Sequence, residues 1–90
     1  MIKLELRYVA HITTLTHTVR ETCDSRAATI RELIAELEHR FHGFQAVFIQ
    51  PQTGKLMLNA MIYYSEPGRP PVSVIDLDHP LTDHGVVTFW

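Results

Sequence analysis

Six histidines, one cysteine and a scatter of aspartates are the residues of this 90-residue chain whose types suit chemistry. His39 and His42 stand three apart at the end of a helical stretch, His79 and His84 bracket a late turn, and His11 and His17 flank an early one. A zinc site needs three or four convergent ligands, and three separated pairs do not make one. Near helix ends and turns, such histidines read as solvated or helix-capping side chains. Asp76, Asp78 and Asp83 fit no calcium-loop spacing and read as turn carboxylates. Cys23 has no second cysteine to pair with, which suits a cytoplasmic protein, and reads as a half-buried small residue. The chain has no glycine-rich phosphate loop, no nucleophile elbow and no Cys-x-x-Cys pair. No catalytic, cofactor-binding or metal-ligating residue is assigned, and the expectation is that the chain is not an enzyme. Any action then lies in what it presents to a partner. Tyr63, Tyr64, Phe89 and Trp90 cluster near the expected sheet end; from them Tyr64, Phe89 and Trp90 are taken as the candidate partner-binding residues. The loop from Ser65 to Pro71 is a second candidate contact.

Composition narrows the partner class. The formal net charge is −2, with no basic stripe, so nucleic acid is not expected. No apolar run reaches 18 residues and the N-terminus carries no apolar leader, so neither a signal peptide nor a membrane span is expected. With 46% hydrophobic residues, residues 1–90 are expected to form a single domain around one core, with a radius of gyration of roughly 12 Å.

The elements that must position these residues come from periodicity. Ile2, Leu4, Leu6 and Tyr8 alternate with Lys3, Glu5 and Arg7, the pattern of a strand with one wet face. After a turn at His11 to Thr14, Leu15, His17 and Val19 alternate with Thr16, Thr18 and Arg20, which predicts a second strand and a hairpin. Cys23 to Ala28 is expected to connect. Thr29 and Glu32 have capping-box spacing, and Ile30, Leu33, Ile34, Leu37 and Phe41 form one apolar stripe. The main helix is therefore expected at about 29–42, with a Glu36–Arg40 pair on its polar side and Gly43 at positive φ past its end. Phe44 to Gln50 is predicted as a third strand, Pro51 to Gly54 as a turn, and Lys55 to Tyr64 as a strand broken near Asn59. A short strand at Val72 to Ile75, a turn at Asp78 to Leu81 and a last strand at Val86 to Trp90 complete the chain.

A hairpin followed by a crossover helix returns a later strand parallel to an earlier one by a right-handed connection. One helix covers one face of one mixed sheet. The fold class expected is α+β: a ubiquitin-like β-grasp with a sheet of four to five strands, the first and last being central parallel neighbours.

At this point the residues resemble the ThiS/MoaD family of small β-grasp sulfur carriers. The resemblance spans nearly the whole chain and rests on three stretches. These are the helix Thr29 to Leu37 with Phe41-His42-Gly43, the run Thr53-Gly54-Lys55-Leu56 followed by Asn59 to Tyr64, and His79-Pro80-Leu81-Thr82-Asp83 with Val86 to Phe89. The last is the most specific. The family's usual Asp-Gly-Asp turn is replaced by Asp83-His84-Gly85, where Gly85 is expected to supply the positive φ.

The resemblance implies a function. In the family, an ATP-dependent adenylating enzyme of the ubiquitin-activating type activates the carrier's terminal carboxylate. Sulfide then gives a thiocarboxylate, or an amine or thiol takes the acyl group. The implied partners are that adenylating enzyme and a sulfur-accepting enzyme or conjugation target, in the cytoplasm. Family carriers end in Gly-Gly, which a narrow active site admits because glycine has no Cβ. The sequence here ends at Trp90, so no residue is assigned that role. Two functions are expected to compete. One is a sulfur carrier or ubiquitin-like modifier with a Gly-Gly tail beyond Trp90. The other is a non-covalent interaction module or accessory subunit that has lost carrier chemistry.

Overall fold

Strict alternation at the N-terminus sets the first strand, and the sheet grows outward from it. A computed structural model describes Met1–Trp90 throughout. Strand β1 is Ile2–Tyr8, with Leu4, Leu6 and Tyr8 buried and Lys3 and Arg7 exposed. A 3-10 turn at Ala10–Ile12 and a four-residue helix α1, Thr13–Thr16, lead to β2, Arg20–Ser25. The main helix α2 is Ile30–Arg40 and a short helix α3 is Phe44–Phe48. Strands β3 (Ile62–Ser65), β4 (Val72–Ser73) and β5 (Gly85–Phe89) follow.

The sheet order is β2-β1-β5-β3-β4. β1 and β5 run parallel, with Leu4 opposite Gly85 and Tyr8 opposite Phe89; every other neighbouring pair is antiparallel. The two chain ends thus meet at the sheet centre, as the β-grasp expectation requires. Ile30, Leu33, Ile34 and Leu37 of α2 join Leu4, Leu6, Val87 and Phe89 in one core cluster of 19 buried residues. Phe44 and Phe48 close the end of that core on Phe89, with ring centroids 5.1 and 5.2 Å away, and Tyr8 stacks on Phe89 at 6.0 Å. The radius of gyration is 11.9 Å. No helix is long and apolar enough to cross a membrane.

Three strand expectations are corrected. The run Leu15 to Arg20 is mostly not strand: the Thr13 and Thr14 hydroxyls donate to the Ala10 and His11 carbonyls, the chain winds helically through Thr16, and His17 ends the turn at φ 58°. The second strand instead occupies Arg20–Ser25, largely the expected connection. Its period is hidden because two of the three residues facing inward, Glu21 and Ser25, are polar and individually bonded, with Cys23 packed between them. Tyr8 donates to Glu21 at 2.7 Å, Arg40 donates to Glu21 at 2.7 Å, and Ser25 donates to Glu36 at 2.6 Å. Of Phe44 to Gln50, Phe44–Phe48 is helical rather than extended, and Ile49 keeps an extended conformation, bridged to Leu56. Phe44 and Phe48, four apart, both enter the core, and Gly43 at φ 98° turns the chain into the helix. The Glu38 carboxylate accepts from the Gly43 and Gln45 N–H groups, which holds that turn in place. Between Lys55 and Met61 the chain is irregular apart from a bridge of Ile49 to Leu56, so the broken strand shrinks to β3.

The helix cap is formed as the spacing predicts, with one shift. Thr29 accepts from the Glu32 N–H at 3.2 Å, but the Glu32 carboxylate reaches the Ala28 N–H, one residue earlier than a capping box requires. The expected Glu36–Arg40 pair does not form; both side chains are spent on β2 and the segment after it, Glu36 on Ser25 and Arg26, Arg40 on Glu21. Near the C-terminus the positive φ falls on His84, at 64°, not on Gly85. Gly85 is required for space: a Cβ there would stand 2.6 Å from the Tyr64 hydroxyl oxygen.

Gly85→Ala should therefore push the buried Tyr64 ring off the Thr82 N–H it accepts from at 2.7 Å. The expected loss is about 1–3 kcal/mol, read as a lower denaturant midpoint at unchanged slope. An unchanged midpoint would contradict the close approach.

Acid should loosen the turn before β5. The Lys3 N–H donates to the Asp83 carboxylate at 2.8 Å and holds its pKa below the ordinary value; Glu5 is lowered by Arg7 and Glu38 by the Gly43 N–H. A folded-state pKa below the unfolded one contributes stability that is present above the unfolded value, about 4, and lost as pH falls through the folded value. Asp83→Asn should flatten the stability–pH curve below pH ~4, measured by urea melts across pH.

Candidate functional site

Strand β5 decides what the chain end can do. Val87 and Phe89 point into the core, while Val86 and Thr88 point to the uncovered sheet face. Its last peptide groups are gripped from both sides. Val9 donates to the Phe89 carbonyl at 3.0 Å, and the Trp90 N–H donates to the Met61 carbonyl at 2.9 Å. The core stops at Phe89, which is fully buried, and Trp90 emerges 43% exposed.

Trp90 lines a groove of ≈ 560 Å³ at this end of the sheet, with Ala10, Ile12, Leu15, Val47 and Met61 among its walls. Val47 and Met61 are partly exposed apolar residues, so the groove is a greasy rim around the chain end. It was not legible in the sequence: its walls come from the 3-10 turn, α1, α3 and the segment before β3, and three of those were expected to have other conformations or none.

The uncovered face carries Lys3, Glu5 and Arg7 of β1, Val86 and Thr88 of β5, and Tyr63 and Ser65 of β3. Arg7, Tyr63, Ser65, Pro71, Val86 and Thr88 outline a shallow dent of ≈ 120 Å³, which brings the end of the 65–71 loop against that face. Glu5 accepts from Arg7 at 2.6 Å and from Arg20 at 3.3 Å, so the face is a mixed-charge surface rather than a catalytic cluster.

Of the three residues taken as partner-binding, only Trp90 offers surface. Phe89 and Tyr64 are core residues: Tyr64 is 1% exposed, and its hydroxyl is engaged by Thr82. Strand parity explains the split. Tyr64 sits opposite Val87 and Ile62 opposite Phe89, so all four share the inward face. Tyr63, one residue away, takes the outward face instead. The histidine pairs stay apart, and no three His, Cys, Asp or Glu side chains converge as metal ligands would. Cys23 is half-buried on the inward face, and burial, then Glu21, pushes its thiol pKa up, away from a reactive thiolate. The geometry can present a chain end and a docking surface; it assembles no acid, base or nucleophile around a reacting centre.

Phe89→Ala should cost about 3–5 kcal/mol of stability, because it empties the centre of the aromatic cluster. Trp90→Ala should cost under about 1 kcal/mol, in keeping with a rim position. Chemical denaturation of the two variants checks the contrast; similar losses would place Trp90 in the core.

No protein-family model matches the chain, and no curated protein matches its sequence. Solved structures do. The HVO 2177 protein of Haloferax volcanii superposes with a TM-score of 0.75 at 21% identity, covering 98% of this chain and 80% of that one. Small archaeal modifier protein 1 of the same organism gives 0.71 at 11% identity, over 99% and 95% of the two chains. A chain of the BexX/CysO complex of Amycolatopsis orientalis gives 0.75 at 19% identity, over 97% and 92%. With the central parallel β1–β5 pair and the single long helix across one face, these likenesses establish the ubiquitin-like β-grasp fold.

Proposed function

We propose that this chain is a small sulfur carrier or ubiquitin-like modifier of the ThiS/MoaD kind, acted on at the chain end that follows β5. The observation that carries the reading is the exit of that end. β5 lies between β1 and β3 at the sheet centre, its inward side is sealed by Phe89, and Trp90 emerges at the surface at one fixed point. Each extended residue beyond it carries a carboxylate about 3.3–3.6 Å farther out. Such a thread can enter a partner's active site while the folded body docks outside. The neighbours support the reading: one is named a small modifier protein, and another was solved within a two-protein complex.

The chemistry would belong to the partner. A terminal carboxylate oxygen attacks the α-phosphorus of ATP and pyrophosphate leaves. A sulfur nucleophile or an amine then attacks the acyl carbon and AMP leaves. The carrier's part is positioning, and the adenylating enzyme would meet the uncovered sheet face and the Trp90 rim together. The reading needs a short tail of small residues ending in Gly-Gly beyond Trp90, and it places the protein in the cytoplasm with its ATP-using partner.

A second reading rests on the groove itself. An apolar rim of Trp90, Met61 and Val47 can bind a partner with no covalent step, as a module or accessory subunit.

One experiment separates the two. The full-length product of the gene is incubated with ATP, a sulfide source and the adenylating enzyme of its source organism, and the intact mass is recorded. The carrier reading expects an adenylate, or the gain from replacing one carboxylate oxygen by sulfur. An unchanged mass overturns it. The module reading then expects Trp90→Ala to weaken partner binding while circular dichroism shows the domain still folded, as the exposed position of Trp90 allows.

A further inference from the structure

The two edges of the sheet are protected very differently. β4 is two residues long and follows Pro70 and Pro71, so it offers little to pair with. β2 has six residues and no proline, and it forms the opposite edge.

Ladder geometry shows which peptide groups face outward along β2. In an antiparallel pair, alternate residue pairs exchange hydrogen bonds and the pairs between them turn their N–H and C=O groups away. Tyr8 donates to the Val19 carbonyl at 3.0 Å, so Leu6–Glu21 and Leu4–Cys23 are the bonded pairs that follow in register. The odd residues of β1 face β5 instead: Lys3 accepts from the His84 N–H and Val9 donates to Phe89. Arg20, Thr22 and Asp24 therefore turn their backbone groups to the open edge. The edge is bounded at both ends, because the Arg26 N–H is taken by Glu36 and the Thr18 carbonyl by the Thr16 hydroxyl.

We propose that a second copy of this chain pairs on this edge, β2 against β2 about a two-fold axis through Thr22, joining two five-stranded sheets into one. The backbone and the charges select this register together. Antiparallel self-pairing requires outward-facing residues to meet one another, which Thr22 opposite Thr22 and Arg20 opposite Asp24 satisfy. It places Arg20 of each copy against Asp24 of the other. In one chain Arg20 lies opposite Arg7, with Glu5 shared between them, while Asp24 meets only Lys3, at 3.7 Å. Pairing gives each arginine a second carboxylate and each aspartate a second cation.

The neighbouring registers are worse. Sliding by two residues one way puts Glu21 directly opposite Glu21, and the other way leaves Arg20 outside the ladder. The Thr18 hydroxyl, which donates to the Arg20 carbonyl at 3.2 Å, leaves that oxygen a second lone pair for the partner strand. One strand pair buries far less than a standard interface, so the dimer is weak and concentration-dependent. β1 separates β2 from β5, so the Trp90 end stays free in the pair.

Sedimentation equilibrium from low micromolar to about millimolar chain tests this, with circular dichroism as the folding control. The wild type should shift from monomer to dimer. Arg20→Asp and Asp24→Arg should each weaken self-association by roughly tenfold or more, because like charges then face each other twice. An equimolar mixture of those two variants should regain dimerisation as a heterodimer, since each supplies the charge the other lacks. Thr22→Pro should abolish pairing without disturbing the β1 ladder, because its N–H faces outward. A wild type that stays monomeric throughout, a dimer indifferent to Thr22→Pro, or a charge-reversal mixture that fails to associate would each overturn the proposal.

Discussion

The parallel pairing of β1 and β5 is the contact on which the rest of the molecule depends. It joins residues about eighty positions apart, so its formation closes nearly the whole chain into one loop. The Asp83–His84 turn locks that closure. Asp83 accepts from the Lys3 N–H and His84 donates to the Lys3 carbonyl, so both peptide groups of one β1 residue are held by the approach to β5. Once the two strands lie side by side, Leu4, Leu6, Val87 and Phe89 present a continuous apolar strip. α2 and the Phe44–Phe48 turn can then bury against it.

The second constraint is polar and lies between α2 and the hairpin. Glu21 takes hydrogen bonds from both Tyr8 and Arg40, and Glu36 takes them from Ser25 and the Arg26 N–H. Burial and then Glu21 raise the Tyr8 phenol pKa, so it stays a donor at any ordinary pH. The polar side of β2 is thereby satisfied without enlarging the core. A strand that carries Glu21 and Ser25 toward the helix is accommodated because each finds its partners and no buried side-chain nitrogen or oxygen is left unpaired, while Cys23 between them packs against the core.

Function, on the proposed reading, follows from what these constraints leave free. The chain end leaves the body beside an apolar rim, and the uncovered sheet face carries mixed charge. β2 keeps an open edge on the far side of β1. The body is hydrogen-bonded through Phe89 and the Trp90 N–H, so its last strand ends at a fixed point on the surface. That geometry suits chemistry performed by another protein.

Much of the fold was legible in the sequence, and the reasons are local. The alternation of Ile2 to Tyr8, the cap at Thr29 with the stripe from Ile30 to Leu37, and the turn into Gly85–Phe89 each follow from side-chain period and short-range hydrogen bonding. What required the tertiary structure was every element whose pattern depends on a distant partner. β2 hides its period because Glu21, Cys23 and Ser25 face a helix that supplies their partners or cover. Phe44 to Phe48 becomes helical because Glu38 and the far-off Phe89 make that turn favourable. Gly85 is glycine because Tyr64 crosses it, a contact between two strands that no local rule contains. The same holds for the site. The sequence by itself determined a β-grasp body with aromatic residues at its last strand. Only the packed structure decided that Tyr64 and Phe89 belong to the core and Trp90 to the surface, because strand parity is set by the register with neighbours far away in the chain.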